Sequence, residues 1–312
     1  MLAKERLDEL KRLVDHFEAR RLRAVERLVA ADRKGRWYFA LLGLDLGVPE
    51  YHIGDVAALR PVAEPPGEVE LATALTDKAL LSAVGRYAHS VRHELGVDRS
   101  FGSKDQGAFN LAWWFLSALR IRTLADFLVP AVSDHSWATI AAISDGACHV
   151  QLLEDVPRAR RFSVPVRISE SDLDWASQSL IALAELLEVP RFRLAVDCLT
   201  THQHEASLRM TTASLWAGVE ALFGINSELR FRLSALVAAF LEPRGAQRIT
   251  RYRVVKSLYD FRSRAVHGGT LDDAMLSQHI RDVRVMLSAL VCKMVEIKRV
   301  PSEDEWDATL LG

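Results

Sequence analysis

Cysteine is scarce in this 312-residue chain: Cys148, Cys198 and Cys292 stand far apart, with no CxxC pair. That spacing excludes a disulfide-framed scaffold and a cysteine-built zinc or iron–sulfur centre, and the three read as buried small apolar residues. Ten prolines and sixteen glycines are too few for a fibrous or low-complexity chain. Long apolar runs are missing as well. The greasiest, residues 111–119, meets Arg120 after nine residues, too soon to cross a bilayer. The charged opening Met-Leu-Ala-Lys-Glu-Arg does not read as a signal peptide, so a cytoplasmic protein without membrane association is expected. The phosphate-cradling patterns GxxxxGKS/T and GxGxxG are absent, as is the GxSxG nucleophile elbow.

Charge of one sign is also nearly absent overall, with a formal net of −1, but it is unevenly spread. Residues 191–299 carry 17 Lys and Arg against 10 Asp and Glu, while residues 1–190 carry 23 against 27 and residues 300–312 add four acids. Within 230–264 there are nine basic residues and two acids. A field of that sign attracts polyanions, nucleic acid being the usual candidate, although a solvated helical face is an equally ordinary source. The acidic N-terminal region and the tail Glu303–Asp307 are then candidates to compete for the same basic face.

Periodicity divides the chain at about residue 170. Residues 2–34 predict one amphipathic helix, with Leu7, Leu10, Val14 and Phe17 at three- and four-residue steps. PVAEPPGE (61–68) reads as a linker, and 71–95 as helical up to Gly96. Residues 137–143 and 147–153 flank Asp145-Gly146 as a hairpin would, and alternation from Phe162 to Ile168 suggests a third strand, kept to an edge by Pro165. A small antiparallel sheet is therefore expected between about 137 and 168. From Ser171 onward the pattern is helical, with Ser171/Asp174 and Thr270/Asp273 as capping pairs and stops at Pro190, Gly224, Pro243 and Gly268-Gly269. The expected fold is mainly α: an antiparallel bundle over 171–300, an α+β region over 1–170 with a regulatory or sensing role, and an acidic tail over 301–312.

Among residues able to do chemistry, His89 and His93 have the spacing of an HExxH pair without its glutamate, and His202-Gln-His204 reads as a polar turn. Trp113 and Trp114 read as core. The segment SLYDFRSRAVHGGT (257–270) differs from these. It places His267 at the end of a helix, beside the negative pole that favours an imidazolium. Arg262, five residues earlier, offers a planar fork of donors suited to a phosphate. A histidine to move a proton and an arginine to steady charge form a minimal set for cleaving RNA without a metal or cofactor. A C-capping histidine with solvated arginines is the plain alternative.

Arg262-x4-His267 inside YDFRSRAVHGG, followed by a long last helix, resembles the signature of the HEPN superfamily and, within it, the ApeA-like branch. SLWAGVEALF (214–223) is similar to that family's early helix, with its aromatic and its Glu220. The resemblance covers about 172–300. It implies a four- or five-helix bundle that forms a homodimer, so that two RxxxxH motifs share one cleft. It also implies a metal-independent endoribonuclease of antiviral defence or a toxin system, with Arg262 and His267 in the catalytic positions and a regulatory protein partner. Asp260, Ser263 and Glu220 are supporting candidates, and the basic stretch itself offers Arg248, Arg251, Lys256 and Arg264 as candidate substrate contacts. Ser263 stands where many members carry Asn, Asp or His, and Gly269 where another branch carries a modifiable tyrosine. The alternative the same resemblance allows is a non-catalytic module for dimerisation or for nucleotide or RNA binding, scaffolding a partner.

Overall fold

The structure is a computed structural model; it describes residues 2–30, 35–160, 162, 166–225 and 229–311. In chain order the first half comprises α1 (Leu2–Ala30), β1 (Arg36–Leu41), β2 (Asp45–Leu46), β3 (Tyr51–Ile53), β4 (Ala57–Pro61), α2 (Glu68–Ala74), α3 (Lys78–Gly85), β5 (His93–Asp98), α4 (Lys104–Thr123), β6 (Ala131–Ser133) and β7 (Val150–Leu152). The second half comprises β8 (Arg167–Ile168), α5 (Glu170–Gln178), α6 (Leu180–Leu186), α7 (Pro190–Thr201), α8 (Leu208–Phe223), α9 (Leu229–Leu241), α10 (Ala246–Val266), α11 (Asp273–Glu296) and α12 (Glu303–Leu311). The fold is mainly α with a small antiparallel sheet in the N-terminal half, as the periodicity predicts. Among the described residues no helix is long and apolar enough to cross a membrane. Sequence reading draws the division at 170. The compact units are Met1–Ala112 with Phe127–Val156, and Trp113–Asp126 with Pro157–Gly312.

In the first unit the sheet has the order β3-β4-β5-β1-β6-β7, every neighbouring pair antiparallel. Its position corrects the expected one. The central strands β1 and β5 pair from Arg36↔Asp98 to Leu41↔His93, and only β7 comes from the 137–168 window. Residues 137–143 do not extend, because their backbone is claimed elsewhere. The Trp137 N–H donates to one oxygen of the Glu94 carboxylate at 2.7 Å, and Ser136 Oγ donates to the other at 2.7 Å. The chain then coils into a short 3-10 turn at Ile140–Ala142. Asp145-Gly146 does turn, with φ of 59° and 68°, but its neighbours bond to α2 through Gly146 N–H to Thr73 O and Cys148 N–H to Ala74 O. β5 was hidden by Glu94, a fully buried carboxylate at a position where a strand buried on both faces ordinarily carries an apolar residue. Burial raises its pKa, and Arg60 Nε, donating at 2.8 Å, opposes that. The proline-rich segment is a seat for α1: Glu64 accepts from Arg23 and Arg27, and Pro65 O accepts from Arg20 Nη2 at 2.7 Å. The called strand through Pro165 lies partly outside the described residues; what is described there is β8.

In the second unit the predicted helices are present, with their caps shifted. Ser169 caps α5 in a reciprocal box with Asp172, two residues before the expected Ser171/Asp174, where the same spacing recurs. Ser179 divides the helix expected between Ser171 and the stop at Pro190 into α5 and α6. Asp272, not Thr270, caps α11 by accepting the Met275 N–H at 2.7 Å. α8 and α11 form the core, with Leu215, Trp216, Val219, Leu287, Leu290 and Val291 wholly buried. Against them lies the end of α4 and its following turn. There Asp126 meets Arg284 of α11 at 2.5 Å, both side chains 4% exposed, and Ser288 Oγ donates to Ile121 O. The acidic tail is helical: residues 303–311 form α12, and Trp306 packs 4.7 Å from the ring of Phe223 and 5.2 Å from that of Phe240.

Candidate active site

α10 carries the motif because its 21 residues include no proline or glycine and its end is chemically marked. His267 is the C-cap, its N–H donating to Ser263 O at 3.0 Å. Gly268 adopts φ +83°, and the Gly269 N–H reaches back to Arg264 O at 2.8 Å, the six-to-one bond of a Schellman motif. A Cβ on Gly269 would stand 2.9 Å from the Arg264 carbonyl oxygen, so both glycines are needed for this turn. Arg209, in the first turn of α8, straddles the same end: it donates to Ala265 O at 2.5 Å and Gly269 O at 2.7 Å. Sequence reasoning passes over Arg209 because its partners are backbone carbonyls, which leave no side-chain pattern to read.

The two resembling motifs meet in space. Arg262 Nη2 lies 3.1 Å from one carboxylate oxygen of Glu220 on α8 and donates to the other at 3.4 Å. Its guanidinium also sits 5.6 Å over the Tyr259 ring. Burial pushes the Glu220 carboxyl above the usual carboxylate range, and the arginine charge works against that shift. Arg262 is 21% exposed, whereas His267 is exposed at the helix end, and no hydrogen bond, ion pair or ring contact joins the two within one chain. Beneath them, Trp216 Nε1 donates to His279 Nε2 at 2.9 Å, and Phe261 stacks on the His279 ring at 4.4 Å. Tyr259 meets Trp216 edge to face at 5.4 Å, so α10 is seated on both α8 and α11 through its aromatic rings.

The other predicted residues separate into two groups. Arg253, Lys256, Asp260, Arg264 and His267 recur at three- and four-residue steps and share one side of α10. On that side Asp260 is paired with Arg230 at 2.5 Å, and Arg264 lies 5.2 Å over the Phe261 ring. Ser263 contributes its backbone carbonyl to the His267 N–H. Arg248 and Arg251 are turned elsewhere: Arg251 donates twice to one Glu242 oxygen, at 2.9 and 3.1 Å, and Arg248 Nε to the Glu242 carbonyl. Arg251 and Glu242 also line an open surface pocket of about 470 Å³ with Thr250 and Val254. Of the tail acids, Asp307 meets the basic stretch 230–264 at Arg232 of α9, 3.5 Å away.

Three smaller readings resolve here too. His89 lies in a 3-10 turn and His93 on β5, so they do not share a helix face. His202 is buried at the helix junction, Nδ1 2.8 Å from Leu199 O. Trp113, read as core, is 38% exposed, while the three cysteines are free and buried as read.

Comparisons with protein-family models, curated proteins and solved structures find no match. The chemistry open to the arrangement follows from its parts. An exposed imidazole at the end of a cation-lined helix can exchange a proton with a phosphodiester drawn to those cations. A guanidinium one turn back can meet a phosphate oxygen if it exchanges its carboxylate for it.

Proposed function

We propose that the second unit is a metal-independent endoribonuclease of HEPN type that acts as a homodimer. The observation that carries this reading is the built end of α10, which presents His267 to solvent on the side that holds Arg253, Lys256 and Arg264. In the reaction His267 takes the proton of a ribose 2′-hydroxyl as that oxygen attacks the adjacent phosphorus. The 5′-oxygen leaves and takes up a proton from the second histidine of the dimer. The products are a 2′,3′-cyclic phosphate and a 5′-hydroxyl end. Arg262 steadies the charge on the pentacovalent phosphorus. One histidine per chain cannot serve as base and acid at once, and two-fold symmetry supplies the second.

A second reading, a scaffold that binds RNA without cutting it, is favoured by one feature: Arg262 is committed to Glu220 and largely covered. Incubating the purified chain with total RNA in EDTA separates the two. Fragments carrying 2′,3′-cyclic phosphate ends are the expected result, and intact RNA that remains bound would assign the scaffold role.

A further inference from the structure

Phe231, near the start of α9, is 60% exposed, an unusual position for a phenylalanine in a unit that buries its other phenylalanines far better. Its ring meets that of Tyr252 on α10 edge to face, with centroids 6.3 Å apart. Lys256 Nζ stands 5.8 Å from the Tyr252 ring centre, one helical turn nearer His267. The adjoining residue Arg253 is exposed and has no carboxylate partner among the described residues. The single acid on this side of α10, Asp260, is already neutralised by Arg230. From Arg253 to His267 the side runs fourteen residues, about 21 Å at the helical rise. Arg264 stands exposed close to its far end.

An open aromatic face beside a row of cations fits one kind of polymer. Each unpaired base has a π-face to stack, and each nucleotide brings a phosphate for the cations. A duplex hides its base faces and can use only the cations. We propose that Phe231 and Tyr252 form a stacking shelf for an unpaired base of single-stranded RNA, with its phosphates running along Arg253, Lys256 and Arg264 toward His267. This rests on the ribonuclease reading for the direction of the strand, while binding at the shelf is separately measurable. An apolar protein partner would not need the cations, and a polyanion without bases would not need the ring.

The test is fluorescence anisotropy on the full-length chain with a labelled 2′-O-methyl oligoadenosine, whose blocked 2′-oxygen prevents cleavage, free or annealed to its complement. The single strand is expected to bind more tightly than the duplex. Phe231→Ala should weaken single-strand binding about tenfold at an unchanged salt slope, and Phe231→Trp should retain it. Arg253→Glu with Lys256→Glu should weaken both forms and flatten the slope, by about 0.7 per lost contact for the single strand. Equal affinity of wild type and Phe231→Ala, or no binding by wild type, overturns the shelf. So does a Phe231→Ala protein that binds normally but changes its oligomeric state, which would assign the ring to a protein interface. Cleavage of unmodified RNA is followed in parallel. Binding through Phe231 without cleavage leaves the shelf and removes the ribonuclease reading, and cleavage with an indifferent Phe231 does the reverse.

Discussion

Trp216 Nε1 donates to His279 Nε2 in a place where both rings are nearly sealed from water. That bond requires a neutral imidazole, and burial holds the His279 pKa down at about 4. Burial also lowers His202, with the Arg284 charge adding to the effect. The sign follows from linkage: below the unfolded value of about 6.5 the unfolded chain takes up protons that the folded chain refuses. Stability is therefore fully present above about pH 6.5 and falls as pH drops toward 4, by about 1.4 kcal/mol per unit for each such histidine. Urea midpoints at pH 7.5 and pH 5 should show this loss, and His279→Gln should reduce it; an identical pH dependence in the variant would contradict the account. His279 sits inside the apolar stripe of α11, where the period marks it as inward but cannot show its indole partner. The same limit hides Glu94 and Arg209, because partners distant in sequence decide both. His267 and Arg262 were legible because a helix terminus is written locally, in Gly268 and Gly269.

At the scale of elements, the helices of the second unit were readable to within a few residues; in the first unit the stretch 71–95, expected to be helical, breaks into α2, α3, a 3-10 turn and the start of β5. Helical stripes in α8 and α11 repeat over four turns or more, so one misplaced residue does not obscure them. The strands of the first unit are two to six residues long, and β1 and β5 are buried on both faces, which removes the alternation that marks a strand. A cap is a single residue, so a second serine at the right spacing was enough to shift it. α10 buries only Val255, Tyr259 and Ala265, and holds its place through pairs such as Arg262 with Glu220. α11, by contrast, is anchored by the enclosed Asp126–Arg284 pair. Asp126→Ala should cost about 3–5 kcal/mol, because it strands a buried guanidinium. Replacing both partners by apolar residues should recover most of that. A urea midpoint for Asp126→Ala within error of wild type would show that the pair does not anchor the helix.

For the whole molecule the informative quantity is where charge lies rather than its sum. The basic excess at 230–264 was visible in the sequence, but its division was not: Arg248 and Arg251 serve Glu242, while Arg253, Lys256 and Arg264 share the side of His267. The tail acids read as competitors for the basic stretch; the structure packs the segment as a helix through Trp306 and pairs Asp307 with Arg232. Activity should depend on a dimer. Light scattering and cleavage measured across dilution should lose dimer and activity together, and a monomer with full activity at nanomolar concentration would contradict the shared cleft. The most direct measurement compares wild type with His267→Ala for RNA cleavage in EDTA, alongside their urea midpoints. The expected result is a 10²–10⁴-fold loss of rate, of the order general acid–base catalysis supplies, at unchanged stability, since the side chain is exposed. Cleavage by His267→Ala at the wild-type rate would contradict the assignment of the helix end as the active site.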